Sequence, residues 1–357
     1  MTAQKLLLTG GAGYIGGTVL AQLLKSSFPE IKSLSISALV RHQSQADVLA
    51  KKGVNSILFK NLDETTFLQQ TAAEHDVVIH VVDGFHGASA EAFIRGLRER
   101  KESTGKPGIY IHTSGASNIA DFPISKRYRG TRVFSDKEDI LSYEKSRNAE
   151  EPYANRSVDL LVAESGERLG VDTYSVSPPL VFGIGAGFFK ELSAGQLPML
   201  MHSALASGHA QYVGEGAGRW SHVHVQDLAA LYEVILAKAL IGEISRDRRI
   251  FFAETGHSSF LDVAKSIGKV GHELGVLKSA EPASVSLEQI AREVFHGQVQ
   301  WAEMVLASES LVSADLSREI GWKPVKTEND WEATFLHEFK LVIQATPGRI
   351  ASSQTVC

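Results

Sequence analysis

The most constraining feature of the chain is its opening run, Lys5-Leu6-Leu7-Leu8-Thr9-Gly10-Gly11-Ala12-Gly13-Tyr14-Ile15-Gly16. A short apolar segment leads straight into a glycine turn and then into a helical pattern. Gly10, Gly13 and Gly16 stand three residues apart. The first glycine permits a tight turn, the second lets backbone approach a pyrophosphate, and the third lets the helix pack closely on the strand. The N–H groups and positive dipole end of that helix then face the phosphates, with Ala12, Tyr14 and Ile15 supplying the rest of the cradle. Strand, turn and helix in this order predict a dinucleotide-binding unit. A purely structural strand–helix turn is the alternative.

The pattern behind that opening is repetitive in kind. Residues 34–40, 56–59, 76–82, 109–113 and 173–176 read as near-continuous apolar strands separated by helical stretches. That alternation predicts a parallel sheet covered on both faces, a doubly wound α/β Rossmann fold with its ligand crevice at the carboxyl ends of the strands. After about residue 180 the pattern changes to Gly- and Pro-punctuated loops with amphipathic helices at 227–240 and 259–274. This predicts a dinucleotide-binding core over 1–180 and a smaller α/β substrate lobe over 181–345 that returns to the core. The small, polar tail 346–357 is expected to be loose.

Composition excludes more than it selects. The 357 residues carry a net charge of -5, so nothing electrostatic favours nucleic acid as a partner. No apolar run approaches the ~20 residues of a membrane span. The only cysteine, Cys357, rules out an intrachain disulfide and a cysteine metal cluster. Scattered histidines without carboxylate spacing predict no metal. With no leader pattern at the N-terminus, the expectation is a cytoplasmic protein acting on a small molecule.

Several segments together resemble the extended short-chain dehydrogenase/reductase family, the NAD-dependent epimerase/dehydratase group. The resemblance rests on Thr9–Gly16, on Asp76-Val77-Val78-Ile79-His80, and on Pro178-Pro179-Leu180-Val181-Phe182-Gly183-Ile184-Gly185. It extends through Trp220–Ala229 and Asp315–Pro324, so it spans residues 5 to 325. Ile111–Gly115 and Asn155–Leu160 resemble a divergent fungal branch related to the NmrA-like regulators. The resemblance implies a nicotinamide dinucleotide lying along Gly10–Gly16, Val81 and Pro178, with the Pro178 loop near the nicotinamide. It also implies an adenine-side contact at Asn61-Leu62, and a helix near 155–169 of the kind that forms dimer interfaces in relatives.

Two positions decide how that cofactor would be read. NAD-specific Rossmann folds often place an acid at the end of the second strand. Here the strand ends Ala38-Leu39-Val40-Arg41-His42, and the Arg41 guanidinium suits a 2′-phosphate, so NADP(H) is expected over NAD(H). A solvated Arg41, or one stacked on adenine, is the alternative.

The chemistry departs from the resemblance. Reductases of this family use Tyr-x-x-x-Lys on the helix before the sixth strand. Tyr153 is the nearest tyrosine, but Ser157 follows at the fourth position. Shifting the register by two, to align Asp159 with a family acid, puts Glu151 and Asn155 in the pair instead. Tyr128 and Tyr143, with Arg132 and Arg147 at the fourth following position, are expected in loops because Pro152 separates them from the helix. Ser114 is the candidate for holding the substrate oxygen, with Tyr153 as a proton donor lacking its lysine. His224 and Asp227 read first as structural, Asp227 as a helix N-cap. His80, Asp83, His86 and His112 flank the strand ends and are candidates to enter the crevice. Residues 121–152 form an insertion expected to be a lid or a solvated excursion. Met199, Met201, Met304, Phe188, Phe189 and Trp220 suggest an apolar substrate lobe or ordinary core. The functions in play are an oxidoreductase on a small apolar carbonyl or alcohol, a dinucleotide sensor without turnover, and a non-redox lyase, isomerase or cyclase.

Overall fold

A computed structural model describes residues 4–127, 132–192, 195–245 and 249–346. Tyr128, the tail from residue 347 and Cys357 lie outside the described residues. In chain order the strands are β1 (Lys5–Thr9), β2 (Ser35–Val40), β3 (Asn55–Leu58), β4 (Val77–His80), β5 (Ile109–Thr113), β6 (Val133–Ser135) and β7 (Asp172–Ser177). They continue with β8 (Leu180–Phe182), β9 (Gln211–Val213), β10 (Arg219–His224), β11 (Ile250–Phe252), β12 (Gly256–Ser259), β13 (Ala283–Val285) and β14 (Leu311–Ser313).

Seven strands form one sheet in the order β11-β7-β5-β4-β1-β2-β3, and every pairing in it is parallel. The strands are apolar and buried on both faces, as in β1, where Leu6, Leu7 and Leu8 are inaccessible. Parallel strands need crossovers that cover both faces, which is why these strands do not alternate apolar with polar. The chain runs outward from β1 through β2 and β3, then returns to β4 and proceeds the other way. The strand order therefore reverses between β1 and β4, and the crevice opens above their carboxyl ends. The expected Rossmann architecture is present. The sheet gains one strand that sequence reading missed, β11, whose three apolar residues sit within the second half of the chain.

A second apolar core gathers Leu180, Phe182, Leu200, Met201, Trp220, Phe260, Trp331 and Phe335. Around it stand a three-stranded sheet, β12-β10-β8, and the pair β13-β9. Met201, Trp220 and Met304 belong to this core, whereas Phe188 and Phe189 pack on the first.

Residues 121–152 contain ordered structure. β6 pairs in parallel with β14, and the helix Ile140–Glu150 follows. Asp136 is buried and accepts hydrogen bonds from the Leu316, Ser317 and Phe252 amides. These bonds fix the segment to the body of the protein and exclude a wholly solvated excursion. Tyr143 lies on the Ile140–Glu150 helix, not in a loop. Pro152 falls in the break before the helix Ala154–Leu169, where its missing N–H does least harm.

Candidate active site

One wall of the crevice is backbone. Gly10 has φ +77°, and a Cβ there would stand 2.0 Å from the Val81 carbonyl oxygen. At Gly16 a Cβ would come within 2.3 Å of the Gly10 carbonyl oxygen. Both positions therefore need glycine for the β1–helix turn to close against the end of β4. The helix Tyr14–Leu24 begins after Gly13, with no side-chain cap and no acid in its first turn. Its leading N–H groups are left for an external acceptor, which fits a dinucleotide pyrophosphate. Ala12, Gly13 and Ile15 stay half-buried along this turn. The Val81 N–H donates to Thr9 Oγ1.

The loop after β8 crosses the same helix. Tyr14 donates its hydroxyl to the Gly183 carbonyl at 2.7 Å, and the Ala186 N–H donates to Thr18 Oγ1 at 3.1 Å. Gly187 lies so close to Gly17 that a Cβ on it would meet Gly17 Cα at 2.9 Å. Beneath the loop, Glu338 Oε1 accepts from the Gly183 N–H at 2.7 Å and from Thr334 Oγ1 at 3.2 Å. Burial pushes this carboxyl up to about 7. Pro178 sits at the other end of the stretch, where its carbonyl accepts from the Ala116 N–H.

Arg41 lies just past the end of β2, exposed. Its N–H donates to Gln45 Oε1, and among the described residues its guanidinium has no hydrogen-bond partner. Asn61 is exposed, with Oδ1 accepting from the Asp63 N–H. Leu62 packs against the core between the sheet and the helix Gly87–Thr104.

The opposite wall is made of side chains. Ser114, after β5, donates its hydroxyl to Asp159 Oδ2 at 2.5 Å and lies 3.3 Å from Asn155 Oδ1. Asn118 Nδ2 donates to Asp159 Oδ2 at 2.9 Å and to Glu144 Oε1 at 3.1 Å. Ser175, on β7, donates to Asp159 Oδ1. Burial pushes the Asp159 carboxyl up to about 6, against the hydrogen bonds from Ser114, Ser175 and Asn118 that pull it down. Glu144 is held well above the usual carboxylate range by burial and by its proximity to Asp159. The buried Arg156 donates to the carbonyls of Asn118 and Glu151.

Asn155 occupies the space above the strand ends. A Cβ on Gly84 would stand 3.2 Å from its Oδ1, and one on Gly115 would stand 3.4 Å from its Nδ2. Tyr153 does not lie on the helix but caps its start, and its hydroxyl donates to Ser117 Oγ at 3.1 Å. Its ring lines a cavity of about 520 Å³ together with Glu151, Arg156, Trp301 and Met304.

The structure thus unites Ser114 with Asp159, Asn155, Asn118 and Glu144, and sets Tyr153 one shell away beside Ser117. Several expectations change. The helix Val225–Leu240 is capped by His224, whose Nδ1 accepts from the Gln226 N–H. Asp227 is therefore not the N-cap. Its carboxylate accepts instead from the Val325 and Lys326 amides. His222 and His224 do share a face, both edge-on to Phe182. His80 and His112 do not enter the crevice: both are buried, and His80 Nδ1 bonds Thr9 Oγ1 at 2.8 Å. His86 caps the helix Gly87–Thr104. Sequence reading missed Asn118, Glu144 and Arg156. The available signal was Asn155 and Asp159, four residues apart on a helix face shared with Val158 and Val162.

Among the described residues no group of three or more His, Cys, Asp or Glu side chains is placed to hold a metal ion, and no helix is long and apolar enough to cross a membrane.

Compared with known proteins, the chain matches no family model. It is 27% identical over 342 residues to the oxidase ucsJ of an Acremonium species, covering 90% of this chain and 93% of that protein. It is 26% identical to the uncharacterized protein YLL056C of Saccharomyces cerevisiae, over 90% of this chain and 94% of the other. Among solved structures it superposes on DesIV, a dTDP-glucose 4,6-dehydratase of Streptomyces venezuelae, with a TM-score of 0.64 at 17% identity, over 96% and 98% of the two chains. A UDP-glucuronic acid 4-epimerase from Bacillus cereus gives 0.64 at 14%, over 96% and 100%. The chain shares the fold of these dehydratase and epimerase structures. Both of those solved structures contain NAD.

Proposed function

We propose that the chain is an oxidoreductase that binds a nicotinamide dinucleotide, NADP(H) in preference to NAD(H), and acts on a small apolar carbonyl or alcohol. The observation that carries this proposal is the Ser114–Asp159 pair, a hydroxyl bonded at 2.5 Å to a buried carboxyl, at one end of a crevice whose other end is a helix N-terminus with no side-chain cap. Gly10, Gly13 and Gly16 would hold the pyrophosphate on backbone N–H groups. Arg41 would take a 2′-phosphate bidentately, and Asn155 would face the ribose in place of the lysine that relatives of this fold use. The bound nicotinamide supplies or accepts the hydride.

The protein's own part is to move the proton. In the oxidation direction a substrate hydroxyl passes its proton to Ser114 Oγ while the Ser114 proton moves to ionised Asp159. In reduction the protonated Asp159 returns it by the same path. A carboxyl near 6 is placed to serve both directions near neutral pH. Asn118 and Ser175 hold Asp159 in place, and Glu144, coupled through the Asn118 amide, keeps the local charge low. Tyr153, bonded to Ser117 rather than Ser114, shapes the substrate side.

Parallel calorimetric titrations with NADPH, NADP, NADH and NAD test the first half. Micromolar binding favouring the 2′-phosphorylated pair supports the reading, and no binding of any of the four overturns it. Dinucleotide binding without oxidation of cofactor by a panel of apolar ketones would favour the sensor reading instead.

A further inference from the structure

The cavity beside Tyr153 has a chemistry that the fold does not prescribe. Phe122, Val299, Trp301 and Met304 line it beside the Tyr153 ring, and Arg127, Glu151, Arg156, Gln298 and Gln300 make the rest of its wall polar. Phe85, one residue past the Gly84 that touches Asn155, joins them: its ring lies 5.8 Å from Tyr153 at 84° and 6.0 Å from Trp301 at 68°. Phe85 and Trp301 remain 43% and 40% exposed, although most large aromatics in the protein are buried. Phe85, edge-on to both Tyr153 and Trp301 and itself part-exposed like Trp301, completes an aromatic group suited to seat another ring.

The charges around this seat cancel. Arg127 Nη1 pairs with Glu151 at 2.5 Å, and Nη2 lies 4.0 Å from Glu303. The same guanidinium covers the Phe122 ring at 4.7 Å. Arg156 donates from Nε to the Asn118 carbonyl and from Nη1 to the Glu151 carbonyl. Among the described residues, two cations thus stand with two carboxylates and leave no net positive charge. A sugar nucleotide brings two phosphate charges into its site and needs unpaired cationic donors to replace their water. The balanced charge of the described lining does not supply that excess.

We propose that the Phe85–Tyr153–Trp301 cavity is the substrate seat and that it takes a neutral, planar molecule of two or three fused or conjugated rings, not a sugar nucleotide. The inference rests on the oxidoreductase reading for its claim that the ligand is a substrate. The volume of about 520 Å³ falls within the ~300–1,000 Å³ of pockets that enclose small organic ligands. The seat joins the reacting end of the crevice through the Tyr153–Ser117 bond, three residues from Ser114.

The test uses the full chain, calorimetry, and three probes: 2-acetonaphthone, its charged counterpart 2-naphthoate, and dTDP-glucose. Of the four tryptophans, Trp220, Trp322 and Trp331 are buried and Trp301 alone is exposed, so quenching of its fluorescence by the ketone gives a second, local readout. The expected result is micromolar binding of 2-acetonaphthone, at least tenfold weaker binding of 2-naphthoate, and no competition by dTDP-glucose. Trp301→Ala should weaken the ketone at least tenfold, whereas Trp301→Phe should stay within threefold. Tighter binding of dTDP-glucose or naphthoate, or an unchanged ketone affinity in Trp301→Ala, overturns the proposal. The dinucleotide titrations separate the two claims. Ketone binding without dinucleotide binding sinks the oxidoreductase reading and keeps the ring seat; the converse sinks only the seat.

Discussion

The two walls of the crevice are built by opposite rules. On the Gly10–Gly16 side, Gly10 and Gly16 leave no room for side chains, because carbonyls of Val81 and Gly10 occupy the space where a Cβ would go, and what the wall presents is backbone N–H. On the Ser114–Asp159 side everything is side chain, and the partners come from four separate places: Ser114 and Asn118 after β5, Glu144, Asp159, and Ser175 on β7. The first wall tolerates no addition. The second depends on each member being present, because a buried polar group that loses its partner costs ~1–3 kcal/mol.

That contrast sets the order of expected effects. Gly16→Ala should be the most severe change, abolishing dinucleotide binding over the measurable range and destabilising the fold by more than ~2 kcal/mol, as read by calorimetry and urea melts. If binding survives, the backbone wall is not what the glycine geometry implies. Ser114→Ala and Asp159→Asn should each lower kcat by ~100-fold or more with the dinucleotide Kd unchanged. A shift in Kd with kcat retained would move the pair out of the chemistry. Arg41→Ala should weaken NADPH about tenfold and leave NADH within twofold; equal losses would make Arg41 an adenine contact.

The acids give the comparison a pH axis. Reduction needs Asp159 protonated, so its rate should fall as pH rises through about 6, and Asp159→Asn should remove that limb from the profile. Stability follows the same sign at Glu338. Its folded value of about 7 lies above the ordinary 4.5, so between those values the folded state holds a proton that the unfolded state releases. Stability should therefore fall as pH rises from 4.5 to 7, by at most about 3 kcal/mol. Glu338→Gln should flatten that fall in melts at pH 5 and pH 8. An unchanged slope would mean the carboxyl reaches water. Tyr153→Phe, which loses only the bond to Ser117, should change kcat less than threefold.

The same contrast explains what the sequence made legible. A wall of glycines is local: three positions within seven residues fix the turn, and the strands beside it announce themselves by unbroken apolar runs. β11 escaped notice because three apolar residues far along the chain carry no mark of which sheet they join. The side-chain wall is not local. Ser114 was visible beside β5 and Asp159 could be aligned, but nothing short of tertiary structure shows that a 2.5 Å bond joins them. Asp227 shows the converse error. An acid early in a helix reads as a cap, yet His224 already holds that place, and the carboxylate is free to tie down the chain at Val325 and Lys326. Tyr153 was found for its hydroxyl, while its placement argues for its ring.

The contact of Glu338 with Gly183, and of Gly183 with Tyr14, joins three parts of the chain separated by more than 150 residues each. During synthesis the glycine turn emerges before the loop that lies over it, and the Glu338 bond to Gly183 can form only after residue 338 has left the ribosome. Because contacts this distant in sequence close slowly, maturation of the ligand site should be among the last events of folding.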